Sequence, residues 1–451
     1  MTLTNQPHRR QLAVIGSGVS GLTAAWILAR HADVTLFEAE PRFGGHAHTH
    51  QVAARVGEAA TLGVDSGFIV HNDRTYPTLL RLFDELGVVT QESDMSMSVR
   101  CDGCGLEYAG AKGLRGLFAQ PRSFARPRYL RMLAEVRRFH RLARAELDRH
   151  AEPDPQSAAD APPLRTLGQF LSEGQFSAYF TDHFMVPLVA AVWSCPPNEA
   201  LTYPVRYLLT FLDHHGMLTV FGSPTWRTVS GGSAHYVAAI VSQLQAVRPG
   251  VPVRSVGRTA TGVDIRDDSD STMSFDAAVI ATHPADALDM LESPSTAERE
   301  ILGAFEYSTN HTILHTDPSV LPRTSGARAS WNYHIPQCSN RPDRVLVSYD
   351  LNRLQRLDAQ TDRHFVVTLG DDGHVDPTSV IASMVYEHPR YSPAFVAAQQ
   401  RLPELGDEKV VFAGAYHGWG FHEDGALSGS RAAARLGASW LASATGDRGG
   451  Q

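Results

Sequence analysis

The sequence predicts an α/β protein in which a discontinuous Rossmann-type nucleotide-binding domain carries a second, α+β substrate domain. Three observations lead there. A complete glycine fingerprint stands between a short apolar run and an Ala/Leu-rich segment near the start. Two further apolar runs, Ala277-Ala-Val-Ile-Ala281 and Val410-Val-Phe-Ala413, read as buried parallel strands far from the first. The chain, at 451 residues, is also too long for one ordinary core.

Gln11-Leu-Ala-Val-Ile15 is expected to be a strand, Gly21 to Arg30 a helix, and Asp33-Val-Thr-Leu-Phe37 a second strand. Between the first strand and the helix lies Gly16-Ser-Gly18-Val-Ser-Gly21. The first glycine permits a tight turn, the second a close backbone approach to pyrophosphate, and the third close packing of helix on strand. The helix N-terminus adds free N–H donors and a positive dipole end. Glu38 closes the second strand 22 residues after Gly16, where a carboxylate can accept both ribose hydroxyls of an adenosine. Gly16, Gly18, Ser20, Gly21, Glu38 and Ala39 are therefore assigned to the nucleotide.

Farther along, Thr78 to Leu86 and Arg128 to Leu147 show helical periodicity, the latter through Met132, Val136, Phe139, Ala143 and Leu147. Residues 151–163 are polar and punctuated by four prolines, the composition of a linker. Aromatic-rich helical segments follow to about Leu218. The boundaries that result assign 10–75, 221–285 and 406–445 to the nucleotide domain. They leave a helical part at 76–220, and 286–405, to the substrate domain.

Composition narrows the function classes. A 43% apolar and 20% charged chain is globular rather than disordered. No run of about 18 apolar residues suggests a membrane span, and the apolar run after the basic first residues is too short for a signal peptide. A cytoplasmic location is the expectation, and nucleic acid is not an expected partner. Cys101-Asp-Gly-Cys104 invites a metal or redox reading, but a second ligand pair is missing among the four cysteines. A glycine-rich turn bearing two thiols is favoured there, and no metal is expected. His46, His48 and His50 alternate, so a strand would place all three on one face, where a metal site is the less favoured reading. Lysine occurs only at 112 and 409.

The fingerprint alone does not separate FAD from NAD; two further features favour FAD. Arg42-Phe-Gly-Gly45-His46 places a paired-glycine loop directly after the acid. Near the other end, His422-Glu-Asp-Gly425-Ala-Leu-Ser-Gly429 follows the 410–413 strand and brings a second helix N-terminus to the nucleotide domain.

With these features the sequence resembles, nearly end to end, the superfamily of flavin amine oxidases, phytoene desaturases and protoporphyrinogen oxidases. The resemblance implies that Arg42, Gly44, Gly45 and His46 touch the flavin, as do Gly414, Asp424, Gly425 and Ala426. It implies that Asp65, Ser66 and Gly67 lie beside the isoalloxazine and that the backbone of Val253 holds adenine. Ala281-Thr-His-Pro284 matches the turn closing the sheet. Gly67-Phe-Ile-Val-His-Asn-Asp-Arg-Thr-Tyr-Pro77, Trp226-Arg-Thr-Val-Ser-Gly-Gly-Ser233 and Gly418-Trp-Gly-Phe-His-Glu-Asp-Gly425 are similar to one bacterial subgroup. Its members often accompany cyclopropane-fatty-acid-synthase-like methyltransferases, and some oxidise or desaturate methylated fatty acids.

Three activities then compete: removal of hydride from a fatty acyl chain, amine oxidation, and a redox-neutral isomerase or lipid-binding role. Amine-oxidising relatives commonly keep a lysine near flavin N5, a place that neither lysine here fits. Phe176, Tyr179, Phe180, Phe184, Trp193, Tyr203, Tyr207, Phe211 and Trp226 are candidate walls of an apolar channel, and His417, beside the C-terminal turn, is the candidate catalytic residue. Residues 112–150 hold eleven Lys or Arg and three Asp or Glu, a balance of +8 within a chain of net charge −8. A solvated helix face is the plain reading. The sharper one is a peripheral contact with anionic lipid at the inner membrane face, through Arg137, Arg138, Arg141 and Arg144.

Overall fold

The computed structural model describes residues 9–440, apart from 56, 58, 150–163, 220–221, 339–340 and 372. The proline-rich segment 151–163 and the end of the 406–445 segment lie outside the described residues. Five parallel strands form the nucleotide-binding sheet: β1 (Gln11–Ile15), β2 (Asp33–Glu38), β3 (Ala246–Pro249), β4 (Ala277–Ile280) and β5 (Val410–Phe412), in the order β3-β2-β1-β4-β5. Register runs Gln11 to Asp33, Leu12 to Ala277, and Ala278 to Val410. Strands separated by more than two hundred residues thus become neighbours, and the α/β class with a discontinuous nucleotide domain holds.

Alternation along these strands builds two cores, because successive side chains point to opposite faces. Leu12, Val14, Val34 and Leu36 join helices α1 (Val19–Leu28) and α2 (His422–Arg435) on one side. Ala13, Ile15 and Phe37 face a three-stranded antiparallel sheet, Val253–Arg258, Val263–Asp267 and Thr272–Phe275, on the other. There Phe37 meets Phe275 edge-on at 6.0 Å.

The second domain centres on a mostly antiparallel seven-stranded sheet. Its order is Val380–Pro389, Tyr307–His315, Val366–Leu369, Val347–Asp350, Trp331–Ile335, Met97–Cys101 and Leu106–Ala109. The one parallel pair joins Trp331–Ile335 to Met97–Cys101. Helices Pro127–Asp148, Leu167–Glu173, Val186–Trp193 and Val205–His214 complete this domain.

The helical description of 76–220 needs two corrections. Residues 97–109 supply two strands of the substrate sheet. Helix Pro77–Leu86 instead buries Leu79, Leu82 and Phe83 in the nucleotide-domain core, because its amphipathic face matches the apolar side of α2.

Candidate active site

At the end of β1 the chain turns sharply into α1. Gly16 takes φ +95°, and a Cβ there would meet the Ala281 carbonyl oxygen at 2.8 Å. A Cβ on Gly21 would stand 1.9 Å from the Gly16 oxygen, so the third glycine lets helix and turn touch. Gly18 differs: a Cβ there would meet nothing within 4 Å. It lies directly before the free N–H groups of α1 and faces open space, the cradle a pyrophosphate needs. The Glu38 carboxylate accepts from Ser17 N at 2.9 Å, Ser17 Oγ at 2.5 Å and Glu40 N at 2.9 Å. Ala39 is exposed beside it. Val251 N donates to the Glu38 carbonyl at 2.9 Å, which brings Val253 to the same edge of the sheet.

The paired-glycine loop crosses the fingerprint. Gly44 N donates to the Ser17 carbonyl at 3.1 Å, and a Cβ on Gly45 would come within 3.2 Å of Gly18 Cα. Arg42 ties the loop down, donating to the Gly45 carbonyl at 2.8 Å and pairing with Glu40 at 2.9 Å. Gly67 packs so tightly under His46 that a Cβ would be 2.2 Å from the His46 oxygen.

Asp65 and Ser66 hold this region together through their side chains. Asp65 accepts from Thr49 Oγ1 at 2.5 Å, Ser233 N at 3.0 Å and Gln355 Nε2 at 3.2 Å. Burial raises its pKa to about 6 against the opposing pull of those bonds. Ser66 Oγ bonds His50 Nε2 at 2.8 Å and Tyr386 OH at 2.7 Å.

The C-terminal turn brings a second helix N-terminus beside the first. A Cβ on Gly425 would stand 2.5 Å from Val19 Cγ1, and one on Gly429 would stand 2.1 Å from the Ser20 oxygen. These glycines let α2 lie directly on α1, with Ala426 buried between them. Gly414 N donates to Ser428 Oγ at 3.1 Å. Asp424 accepts from Phe421 N at 2.9 Å, and burial raises its pKa to about 7. Its neighbour Glu423 caps helix Pro77–Leu86, accepting from Thr78 N and Leu79 N at 3.0 and 2.9 Å.

A cavity of about 520 Å³ opens at this junction. Arg74, Asp213 and His214 stand exposed at its rim; Tyr76, Trp419, Phe421 and Leu427 form apolar wall; Asp424 and His215 add polar groups. The ring of Phe421 stacks on Phe211 at 4.9 Å, and Trp419 packs against Tyr207 at 6.0 Å. Of the nine aromatics expected to line a channel, none lines this cavity. Phe176, Phe180 and Phe184 stack in the core under helix Pro127–Asp148, while Trp193, Tyr203 and Phe211 pack behind Phe421. Composition distinguishes aromatic from aliphatic, but not a wall from its backing.

Several buried histidine nitrogens have no protein partner: Nε2 of His46, His417 and His422, and both ring nitrogens of His71. Burial drives His46 far below the usual imidazole range, His422 to about 3 and His417 to about 4, so these rings are neutral at pH 7. His46, on the paired-glycine loop, and His422, at the start of α2, each leave a buried Nε2 without a protein partner. Together with the open cradle at Gly18, they fit a flavin dinucleotide. His417 does not line the cavity; Arg431 and Arg435 stand near it. His48 and His50 stack at 4.1 Å, but His46 precedes the strand and faces His388 instead. The expected single face of three histidines is therefore not formed, because the strand begins only at Thr49.

The thiols show a second departure. Cys101 and Cys104 meet Cys338 and His183, and the four ligand atoms lie within 4.8 Å of one another. The missing second pair is supplied by residues 79 and 234 positions beyond Cys104 in the chain. The two lysines stay elsewhere: Lys112 Nζ donates to the Arg328 carbonyl at 2.5 Å and Lys409 Nζ to that of Thr259 at 2.6 Å.

A nucleotide sheet closed by two abutting helix N-termini and capped by a large second domain is the architecture of a two-domain dinucleotide-binding protein. Residues 19–437 match the model of the flavin containing amine oxidoreductase family, and the chain belongs to that family. FAD is the cofactor of the family, as the two glycine turns led one to expect. A Mycobacterium tuberculosis (strain ATCC 25618 / H37Rv) protein named as a flavin-containing monoamine oxidase, AofH, is 27% identical over 274 residues. That alignment covers 59% of this chain and 55% of AofH, so the chain spans about half the length of the curated relatives it matches. Among solved structures, cyclohexylamine oxidase from Brevibacterium oxydans IH-35A superposes with a TM-score of 0.67 at 17% identity, covering 95% of this chain and 98% of that one. A CLA-producing fatty acid isomerase from P. acnes superposes with a TM-score of 0.66 at 15% identity and the same coverage. Both likenesses are of fold.

Proposed function

We propose that this chain uses FAD to remove hydride from a hydrophobic substrate, a fatty acyl chain that is methyl-branched or otherwise modified, by desaturation or oxidation. The observation that carries the reading is the cavity at the start of α2. It has apolar wall from Tyr76, Trp419, Phe421 and Leu427, the cation Arg74 at its rim, and no lysine. Such a site suits an amphiphile whose anionic head pairs with Arg74 while its chain lies along the aromatic wall. The bound flavin would supply the hydride acceptor, held by Gly18, Glu38, the 42–46 loop and the N-terminus of α2. The chain's own contribution is to exclude water with Trp419 and Phe421 and to hold a proton on Asp424, whose raised pKa lets it exchange near neutral pH. The phrases shared with the bacterial subgroup beside methyltransferases support a methylated chain.

Amine oxidation is the second reading, favoured by the family and by the carboxylates Asp213 and Asp424 at the cavity. A redox-neutral isomerase is the third. Anaerobic reduction of the purified holoprotein separates them. A fatty acyl substrate should bleach the flavin, whereas putrescine and cyclohexylamine should not. Rapid bleaching by either amine overturns the proposal. A shifted double bond with the flavin oxidised throughout supports the isomerase.

The proposal includes where the acyl chain comes from, a peripheral contact on the cytoplasmic face of an anionic membrane. Among the described residues no helix is long and apolar enough to cross one. Leu114 and Phe124 are 74% and 63% exposed, and Leu130 is exposed near them. Arg128, Arg137 and Arg141 stand exposed on the adjoining helix. Apolar groups beside arginines are what interfacial binding needs.

A further inference from the structure

We propose that Cys101, Cys104, His183 and Cys338 form a closed structural zinc site in the substrate domain, away from the cofactor. Three separate elements meet there. Cys101 ends the strand Met97–Cys101, and Cys104 stands in the turn before the strand Leu106–Ala109. Cys338 follows the strand Trp331–Ile335, whose Ile335 is in parallel register with Cys101. His183 comes from the helical side of the domain, on a widened turn, Thr181–Met185, between two helical segments. Such single wide turns inside helices recur where a side chain is aimed at a site.

The geometry is that of a tetrahedral cage before closure. Cys101 Sγ lies 3.5 Å from Cys338 Sγ, and Cys104 Sγ lies 3.6 Å from His183 Nε2. Bond lengths of about 2.3 Å to sulfur and about 2.0 Å to nitrogen give tetrahedral edges of roughly 3.5–3.8 Å. The four ligand atoms all fall within 4.8 Å, so the widest pair needs only a modest contraction. The Cys101–Cys338 spacing exceeds a disulfide's roughly 2.05 Å, and all four cysteines are free.

The surroundings support the same set. His183 Nδ1 lies 3.1 Å from the Tyr179 carbonyl oxygen, so it is the nitrogen that carries the proton, and Nε2 keeps its lone pair toward the thiols. Gly103 admits the close approach of Cys338, since a Cβ there would meet Cys338 N at 2.8 Å. Gly105 takes φ +67°, which bends the chain immediately after Cys104.

Three thiolates and an imidazole select zinc over hard cations, and four protein ligands leave no open position for substrate. Binding exchanges the three thiol protons, released to solvent, for the metal, and His183 ligates through the Nε2 lone pair. The cross-link would fasten the sheet edge to the helices around His183, adding to the bond that Tyr108 OH donates to the His183 carbonyl at 2.8 Å.

The test is metal analysis of the intact flavoprotein, with X-ray absorption to read the ligands and mass spectrometry of unreduced protein to read the thiols. Zinc at one per chain with a shell of three sulfurs and one nitrogen is the expected result. Cys338→Ser and His183→Ala should lower zinc content to roughly a tenth or less. If those variants do not fold, Co²⁺ added to reduced, metal-stripped wild type should give thiolate-to-cobalt absorption. Metal-free protein with a Cys101–Cys338 disulfide overturns the proposal. So do free thiols that take up neither Zn²⁺ nor Co²⁺, and so does undiminished zinc in folded Cys338→Ser.

Discussion

Alanine at Gly18 and alanine at Gly21 should fail in opposite ways, although the two glycines stand three residues apart in one motif. Gly18 has φ −62° and ψ 174°, which any L-residue adopts, and its added methyl would touch nothing within 4 Å. The apoprotein of Gly18→Ala should therefore be as stable as wild type, or gain about 0.4–1 kcal/mol from the stiffer unfolded chain. The methyl instead fills the cradle before α1, and the phosphates must retreat from the helix N–H groups. Losing one charge-assisted bond costs about 1.5–3 kcal/mol, or roughly ten- to 150-fold in Kd for FAD.

At Gly21 the methyl meets the Gly16 carbonyl oxygen at 1.9 Å. The obstacle is backbone, so no rotamer change relieves it. Nor can α1 slide away freely, since Gly429 of α2 already lies against the Ser20 carbonyl. Gly21→Ala should lower apoprotein stability by about 1–3 kcal/mol or more, and weaken FAD binding as a consequence. Urea midpoints of the apoproteins and FAD titrations followed by flavin fluorescence measure both quantities. Wild-type FAD affinity in Gly18→Ala, or wild-type stability in Gly21→Ala, would refute the assignment of the cradle.

Other expectations follow from the charges. Asp424 is held protonated to about pH 7, above its unfolded value of 3.8, so its native state binds a proton that its unfolded state has lost. Apoprotein stability contributed by this group must fall as pH rises from about 4 to about 7. Asp65, raised to about 6, adds a similar slope, while buried neutral histidines such as His417 oppose it. The difference between wild type and Asp424→Asn isolates Asp424, and urea midpoints whose difference does not vary with pH would count against its raised pKa. For the membrane contact proposed above, Arg128, Arg137 and Arg141 changed together to Gln should cost about 3 kcal/mol, roughly hundredfold, in binding to anionic vesicles at low salt. Arg138 and Arg144 are poorer choices than the sequence suggests. Each donates to a main-chain carbonyl, of Gly174 and Leu218, and Arg138 also covers the Phe176 ring. Equal sedimentation with neutral vesicles would leave a solvated helix face as the explanation.

Local pattern carried the nucleotide half of this protein. Gly16, Gly18, Gly21 and Glu38 lie within one β-α-β unit, so their spacing alone determines their geometry, and β1, β2, β4 and β5 were legible as short apolar runs. The second helix N-terminus was legible from Gly425 and Gly429, glycines that small-residue packing against α1 requires. What the sequence left undecided depends on pairings between distant segments. Of the nine aromatics, Tyr207 and Phe211 became backing for Trp419 and Phe421, which only helix packing could select as wall. Asp424 gained its raised pKa from burial, a property no motif encodes. The thiol pair at Cys101 and Cys104 announced half a ligand set. Its completion by Cys338 required a parallel strand pairing, and its completion by His183 required one choice among 21 histidines. Sequence spacing determines geometry only over the few residues whose backbone it constrains; beyond that range, partners are chosen by which faces bury together.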